Sequence, residues 1–258
     1  MNMLQFNEII YGPMHSRRLG NSLGVNLLPI DAKICTFNCI YCECGFNTTM
    51  KKFPMPRRAA VKSALNEKLQ ALCAENQMID VITFAGNGEP TLHPQFREII
   101  DDAIELRNKY FPETKICVLT NSTQISKKEV FDALMKADNA ILKFDSAIDE
   151  TMRQIDRPAR RDFSVAWLLE NLQHFENRLI VQTMFLRGTH NGQTVDNTTK
   201  TEISAYINAM QILKPQQVMI YGIDRQTPVK SLHKIPREEL EKIAEQIRKS
   251  GIEVNVAG

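Results

Sequence analysis

The sequence predicts an α/β fold built on a parallel sheet, and three observations lead there. Short apolar runs rich in β-branched and large side chains recur from about residue 24 onward. Segments with helical spacing of apolar residues separate them, so strand and helix alternate. The runs are mostly apolar on both faces, as strands buried between layers are. Six such units in one chain imply right-handed crossovers within a single sheet. The pattern alone fits a curved partial barrel or an open doubly wound sheet. In either, ligands gather at the carboxyl ends of the strands.

Strands are expected at 24–28, 81–85, 116–119, 140–144, 179–185 and 217–221. Among the helices, Phe96, Ile99, Ile100, Ala103 and Ile104 keep i, i+3, i+4 spacing behind Pro94 at a first-turn position. Ser126 with Glu129, and Thr199 with Glu202, read as capping boxes. Pro236 opens a helix whose apolar stripe is Leu240, Ile243, Ala244 and Ile247. No repeat, low-complexity tract or long linker interrupts the series. A single domain over 1–258 is therefore expected, with 1–23 as an N-terminal segment packed on it.

Lys and Arg number 32 against 30 Asp and Glu, so no global field for nucleic acid or membrane is indicated. No apolar run approaches the roughly 18 residues of a membrane span. The stretch MNMLQFNEIIYG has neither a basic n-region nor a continuous apolar core. A cytoplasmic location is expected, where thiols stay reduced or bind metal.

Three of the six cysteines, Cys35, Cys39 and Cys42, fall within eight residues as C-x3-C-x2-C. A cubane has four irons, and three thiolates leave one iron open. An open coordination position distinguishes a catalytic centre from a closed structural one. The alternative is a structural zinc held by four thiolates and completed by Cys44, although no second C-x2-C pair follows. Cys73 and Cys117 lie in helix and strand patterns and read as buried small hydrophobes. The five histidines show no metal-ligand spacing.

With Tyr41 before its last cysteine, the triplet resembles the signature of the radical S-adenosylmethionine (SAM) superfamily. The run Ser16-Arg17-Arg18-Leu19-Gly20 to Asn26, and Tyr41 to Gly45, are similar to a branch containing wyosine-base-forming tRNA enzymes and Fe–S oxidoreductases. The resemblance continues through Gly86-Asn87-Gly88-Glu89-Pro90-Thr91 and Asp224-Arg225-Gln226-Thr227-Pro228. It implies a partial (β/α)6 TIM-like barrel, a [4Fe-4S] cluster on Cys35, Cys39 and Cys42, and SAM on the open iron. Reductive cleavage of SAM would then give a 5′-deoxyadenosyl radical that abstracts hydrogen from substrate. The resemblance also implies an electron donor such as flavodoxin or ferredoxin. The substrate implied is an RNA nucleoside or a phosphorylated small molecule. No cysteine precedes Cys35, so the second cluster of the wyosine-forming enzymes is not expected. Competing functions are a glycyl-radical-enzyme activase and a non-catalytic Fe–S electron-transfer or sensor protein.

Within that frame, Gly86, Asn87, Gly88 and Glu89 resemble the segment that receives the SAM amino group. Tyr41 would lie beside the cluster and adenine. Asn121 ends the third strand, within reach of SAM. Lys143 and Asp145 share one strand face and form the candidate catalytic pair; Asp145 and Ser146 are also expected at the cofactor. Gln182 and Met184 share a face of the fifth strand, and Tyr221 and Ile223 resemble the segment flanking adenine. Arg17 and Arg18 are expected to hold substrate. The basic groups Lys51, Lys52, Arg57, Arg58 and Arg157, Arg160, Arg161 could grip an anionic substrate, but such groups are usually solvated surface.

Overall fold

The computed structural model describes residues 4–16, 19–48 and 54–257. Arg17, Arg18, Lys51 and Lys52 lie outside the described residues. The chain opens with β1 (Ile10–Ser16) and β2 (Gly20–Val25), then α1 (Arg58–Ala74) and β3 (Val81–Phe84). Next come α2 (Phe96–Tyr110), β4 (Lys115–Thr120), α3 (Lys128–Lys136) and β5 (Asn139–Lys143). Two helices, α4 (Asp149–Asp156) and α5 (Val165–Gln173), lead to β6 (Ile180–Met184). A hairpin of β7 (Leu186–His190) and β8 (Gln193–Asp196) precedes α6 (Lys200–Leu213) and β9 (Gln217–Tyr221). The chain closes with β10 (Leu232–Lys234), α7 (Arg237–Arg248) and β11 (Val254–Ala257).

One sheet runs β1-β2-β3-β4-β5-β6-β9-β11, and β10-β7-β8 form a second. From β2 to β11 every pairing is parallel; β1 lies antiparallel on β2. The six expected strand–helix units are thus β2, β3, β4, β5, β6 and β9, each followed by helix, in a curled partial barrel. β11 adds a further parallel strand that is not among those expected, although Ile252, Val254 and Val256 alternate with Glu253 and Asn255.

Alternation along the strands divides the inner face into levels. Val81, Cys117, Ile141, Ile180 and Met219 make an apolar floor, a cluster separate from the main core. Two residues on stand Thr83, Leu119, Lys143, Gln182 and Tyr221; two more give Ala85, Asn121, Asp145, Met184 and Ile223. Seven of the residues expected at the site, Asn121, Lys143, Asp145, Gln182, Met184, Tyr221 and Ile223, occupy these upper two levels. The main core lies between sheet and helices. There α1 buries Val61, Leu65, Leu69 and Leu72, and α7 buries Leu240, Ile243, Ala244 and Ile247. Each such side chain contributes roughly 1.5–3 kcal/mol, well above the surface ion pairs.

Several local expectations are corrected. The first strand starts at Gly20, not at 24, because Ser22 to Val25 pair with Val81 to Phe84. A Gly-Asn-Ser-Leu-Gly run has little intrinsic strand preference, and its neighbours impose the conformation. α2 begins at Phe96 behind Gln95, so Pro94 stands outside it. The N-cap of α3 is Lys127 without a side-chain bond, and no box forms on Ser126. Thr199 does cap α6 through the Glu202 N–H, but the Glu202 carboxylate accepts from Ser146 at 2.7 Å instead of closing the box. Cys73 is exposed, one residue off the buried stripe of α1. Arg58 is not free surface: its guanidinium grips the buried Asp102 at 2.6 and 2.9 Å, tying α1 to α2.

Gly24 is required by a close approach. The Tyr11 ring crosses it, and an added Cβ would stand 2.0 Å from a ring carbon. Gly24→Ala is expected to destabilise the fold by about 1–3 kcal/mol through overpacking, read as a lower urea midpoint. Tyr11→Ala in the same chain should relieve part of that loss.

Candidate functional site

The loop between β2 and α1 carries Cys35, Cys39, Cys42 and Cys44 at the carboxyl end of β2. It is irregular yet partly buried, with Phe37 and Ile40 in the core, so its backbone groups need fixed partners. The last turn of α4 supplies some. Its terminal carbonyls lack helical partners and accept from the loop, Asp156 from Asn38 N and Ile155 from Ile40 N, both at 2.9 Å. On the other flank, Ile34 N donates to Asn87 O at 2.9 Å and Glu89 N to Ile34 O at 3.1 Å. Gly88 permits this: a Cβ there would lie 1.7 Å from Ile34 O, and its φ is +136°. A Cβ on Gly86 would strike the Asn26 amide at 2.2 Å. Both glycines therefore serve contact between loops.

Cys39 is buried, with Sγ 3.4 Å from Asp156 Oδ1. Cys35 Sγ accepts from Phe37 N at 3.4 Å and Asn121 Nδ2 at 3.3 Å. Burial pushes the Cys35 thiol up to about 11 and the Cys39 thiol further above its ordinary value. Cys42 is the acidic thiol, drawn down to about 5 by the Cys44 S–H, with Lys33 assisting against burial. Lys33 is itself buried and donates to Gly45 O at 2.6 Å. Among the described residues, no three His, Cys, Asp or Glu side chains are gathered closely enough to hold one metal ion. A cubane is larger than an ion and is gripped at separate corners.

Beside Cys39 lies a buried charge knot. Lys143 Nζ stands 3.0 Å from Asp145 and 3.5 Å from Asp156, with its side chain 14% exposed. Nζ also meets the Tyr41 hydroxyl and sits 4.4 Å from the ring centroid. Tyr41 OH donates to Asp145 Oδ2 at 2.5 Å, and Met184 N to Asp145 Oδ1 at 2.9 Å. Burial disfavours the ammonium, but Asp145, Cys39 and Asp156 outweigh it and raise the Lys143 pKa well above normal. Burial and the neighbouring Asp145 raise Asp156. Lys143 is therefore a held cation rather than a free amine, and Asp145 has both oxygens engaged.

The remaining expected residues divide by partner. Asn87 exchanges bonds with Phe6 (3.0 and 2.9 Å) and donates to Pro29 O, so its amide anchors the N-terminal segment. Glu89 accepts from Thr91 N and Oγ1, Thr120 Oγ1 and Asn121 N, at 2.6–3.1 Å. Burial raises its pKa despite these donors. Asn121 spans Cys35 and Thr36. Ser146 bonds to Glu202, and Ile223 packs half-buried on the core. Gln182 differs: its Nε2 is buried without a partner. Arg17 and Arg18 fall outside the described residues.

A cavity of about 470 Å³ opens beside Cys42, within the roughly 300–1,000 Å³ of small-molecule sites. Gly86, Lys143, Met184, Tyr221 and Tyr41 line it, and Leu4, Phe6 and Tyr11 stand at its N-terminal side. Arg225 pairs with Glu43 at 2.9 Å on its rim. Asp156 and Lys33 were missed by sequence reasoning. Asp156 had a signal: it continues the Met152, Ile155 stripe at i+4, where a carboxylate is buried and needs partners. Lys33 lies in a loop and had none.

The family model described as "Radical SAM superfamily" matches residues 30–202. GTPase Obg of Brachyspira hyodysenteriae is 30% identical over 236 residues, 90% of this chain and 32% of that protein. The chain thus spans about a third of that relative, and no G-x4-G-K-[ST] phosphate loop occurs in this sequence. A UPF0026 protein of Helicobacter pylori is 31% identical over 90% of this chain and 71% of its own length. UPF0026 protein slr1464 of Synechocystis is 32% identical over 85% and 77%. Among solved structures, TYW1 with a lysine-pyruvate adduct bound aligns with TM-score 0.61 at 14% identity, over 88% of this chain and 73% of that one. SuiB of Streptococcus suis bound to S-adenosylmethionine gives 0.64 at 13%, over 91% and 50%. A radical SAM methyltransferase from Sphaerobacter thermophilus gives 0.66 at 12%, over 91% and 65%. At these identities the likeness is one of fold.

Lys143→Met leaves Asp145 and Asp156 facing each other without a cation, and is expected to cost about 3–5 kcal/mol in guanidinium unfolding. Adding Asp145→Asn should recover part of that loss. Strictly additive losses would mean the two groups are not coupled.

Proposed function

The chain belongs to the radical SAM superfamily, and on that premise we propose that it cleaves SAM reductively at a [4Fe-4S] cluster held by Cys35, Cys39 and Cys42. Enzymes of this family use that cluster and SAM. The observation that carries the reading is the cavity beside Cys42, set at the carboxyl ends of the strands over an apolar floor. A pure electron carrier has no need of such a chamber.

The donor set fits the group. Three thiols come from one loop whose backbone is fixed on both flanks. Cys44 and Lys33 lie against the Cys42 sulfur, as donors that stabilise thiolate. Gly86, Met184 and Tyr221, which line the chamber, and Gln182 with its unpartnered amide, are the residues we assign to SAM. The side chains of Asn87, Glu89 and Ser146 also bond to the surrounding loops. When bound, the cluster and SAM together supply a carbon-centred radical that takes hydrogen from substrate. Lys143, Asp145 and Tyr41 fix the inner wall and keep a positive charge beside the chamber. Leu4, Phe6 and Tyr11 restrict water. The electron comes from a low-potential donor such as flavodoxin or ferredoxin. The substrate class is an RNA nucleoside or a phosphorylated small molecule, supported by the branch that the Ser16–Asn26 and Tyr41–Gly45 runs resemble. No described helix is long and apolar enough to cross a membrane.

Anaerobically reconstituted, reduced protein is expected to convert SAM to methionine and 5′-deoxyadenosine, followed by chromatography. Cys35→Ala, Cys39→Ala and Cys42→Ala should each lose the product together with iron and sulfide. Cys44→Ala should keep iron and sulfide at the parent level; loss there would make Cys44 a protein ligand and favour a closed site. No product from well-reduced, iron-replete parent protein would overturn the reading.

A further inference from the structure

The end of α4 has a second side. Asp156 faces inward to Cys39 and Lys143, and the next residue, Arg157, faces a separate cleft of about 330 Å³. Its walls are the outer face of α4, with Arg153, Gln154 and Arg157, and the β7–β8 hairpin, with His190, Asn191 and Gln193. Glu150 and Val195 also line it. We propose that this cleft is a phosphate subsite, in which Arg157 holds a phosphate group of the substrate. The proposal rests on the radical SAM reading above and adds to it where the substrate's anionic group is held.

Four observations carry it. Among the described residues, Arg157 has no carboxylate partner, whereas Arg58 and Arg160 are paired with Asp102 and Asp162. Its guanidinium lies 5.2 Å from the centroid of Phe46, a 39% exposed ring of the cysteine loop. A cation stacked on an aromatic ring keeps its edge donors free for an oxyanion. His190, on the opposite wall, has a buried Nε2 with no partner. Burial and the Arg157 charge lower its pKa, so the two groups face one space that holds no anion of the protein's own beyond Glu150. Finally, Arg157 caps α4 in the left-handed region, φ 49° and ψ 60°. Glycine fills that position without crowding, so Arg157 holds backbone strain there, as Lys214 does at the end of α6.

The cleft is also joined to the chemistry. Asn38 N approaches Arg157 O at 3.3 Å, and Ala159 N donates to Thr36 O at 2.8 Å. The segment that would hold the phosphate is therefore bonded to the segment that carries the cluster cysteines.

The test is binding at low salt to the reconstituted protein without reductant, by calorimetry. The two probes are inorganic phosphate and a short ribo-oligonucleotide with 5′-hydroxyl ends. Arg157→Gly removes the guanidinium and relieves the strain. It is expected to raise the thermal midpoint by about 2–4 °C and to weaken the bound probe roughly 10- to 100-fold. His190→Leu should weaken the same probe without that thermal gain. Saturable inorganic phosphate binding alone would mark a small phosphorylated substrate, and oligonucleotide binding would mark RNA; both support the subsite. No binding of either probe, or unchanged binding by Arg157→Gly, overturns it. Because no reductant is present, the result is independent of SAM cleavage. A protein that makes 5′-deoxyadenosine but binds neither probe loses the subsite alone. One that binds phosphate but makes no product loses the radical chemistry.

Discussion

One ammonium group joins the pieces of this site. Lys143 rises from the end of β5 into a space closed by Asp145, by Asp156 from the end of α4, and by Tyr41 from the cysteine loop. Asp145 in turn takes the N–H of Met184 on β6. Away from water, each of these groups is expensive without partners, so four chain segments can satisfy their charges only by meeting together. The long β2–α1 loop acquires a fixed position from that constraint and from the α4 carbonyls it caps. Cys39, buried against Asp156, is set in place by the same contacts.

A second lattice acts on the opposite flank. The Gly86 to Glu89 segment is where the β3 end, the cysteine loop and the N-terminal segment cross. Gly88 lets the Ile34 backbone pass, Asn87 fastens Phe6, and Glu89 gathers donors from Thr91, Thr120 and Asn121. The segment joins loops at the strand ends, and Gly86 faces the chamber. Asn121 extends the same network to Cys35 Sγ. The cavity opens between the two lattices.

These arrangements divide labour around the cysteine loop. Inner-facing groups hold charge and exclude water near the chamber. The outer flank, formed by Arg157, Phe46 and the β7–β8 hairpin, is the half-exposed side of that loop. Small changes at the end of α4 therefore bear on two surfaces, because adjacent residues of one helix end point to opposite sides of the cysteine loop.

The order of six strand–helix units, the stripes of α2 and α7, and the spacing of Cys35, Cys39 and Cys42 were all readable in the sequence. Each is a relation among residues a few positions apart, which local geometry enforces. What the sequence could not reveal depended on distant partners. β2 has weak local preference and exists through pairing with β3, and β11 is placed in the sheet by pairing with β9. The capping box at Glu202 yields to Ser146, 56 residues away. Asp156 meets Cys39 across 117 positions, and Tyr41 meets Asp145 across 104. Sequence alone therefore determined which elements form and which cysteines cluster. Only the tertiary structure decided which polar side chains bind each other and which are left to face a ligand, because sheet register and loop packing set those distances.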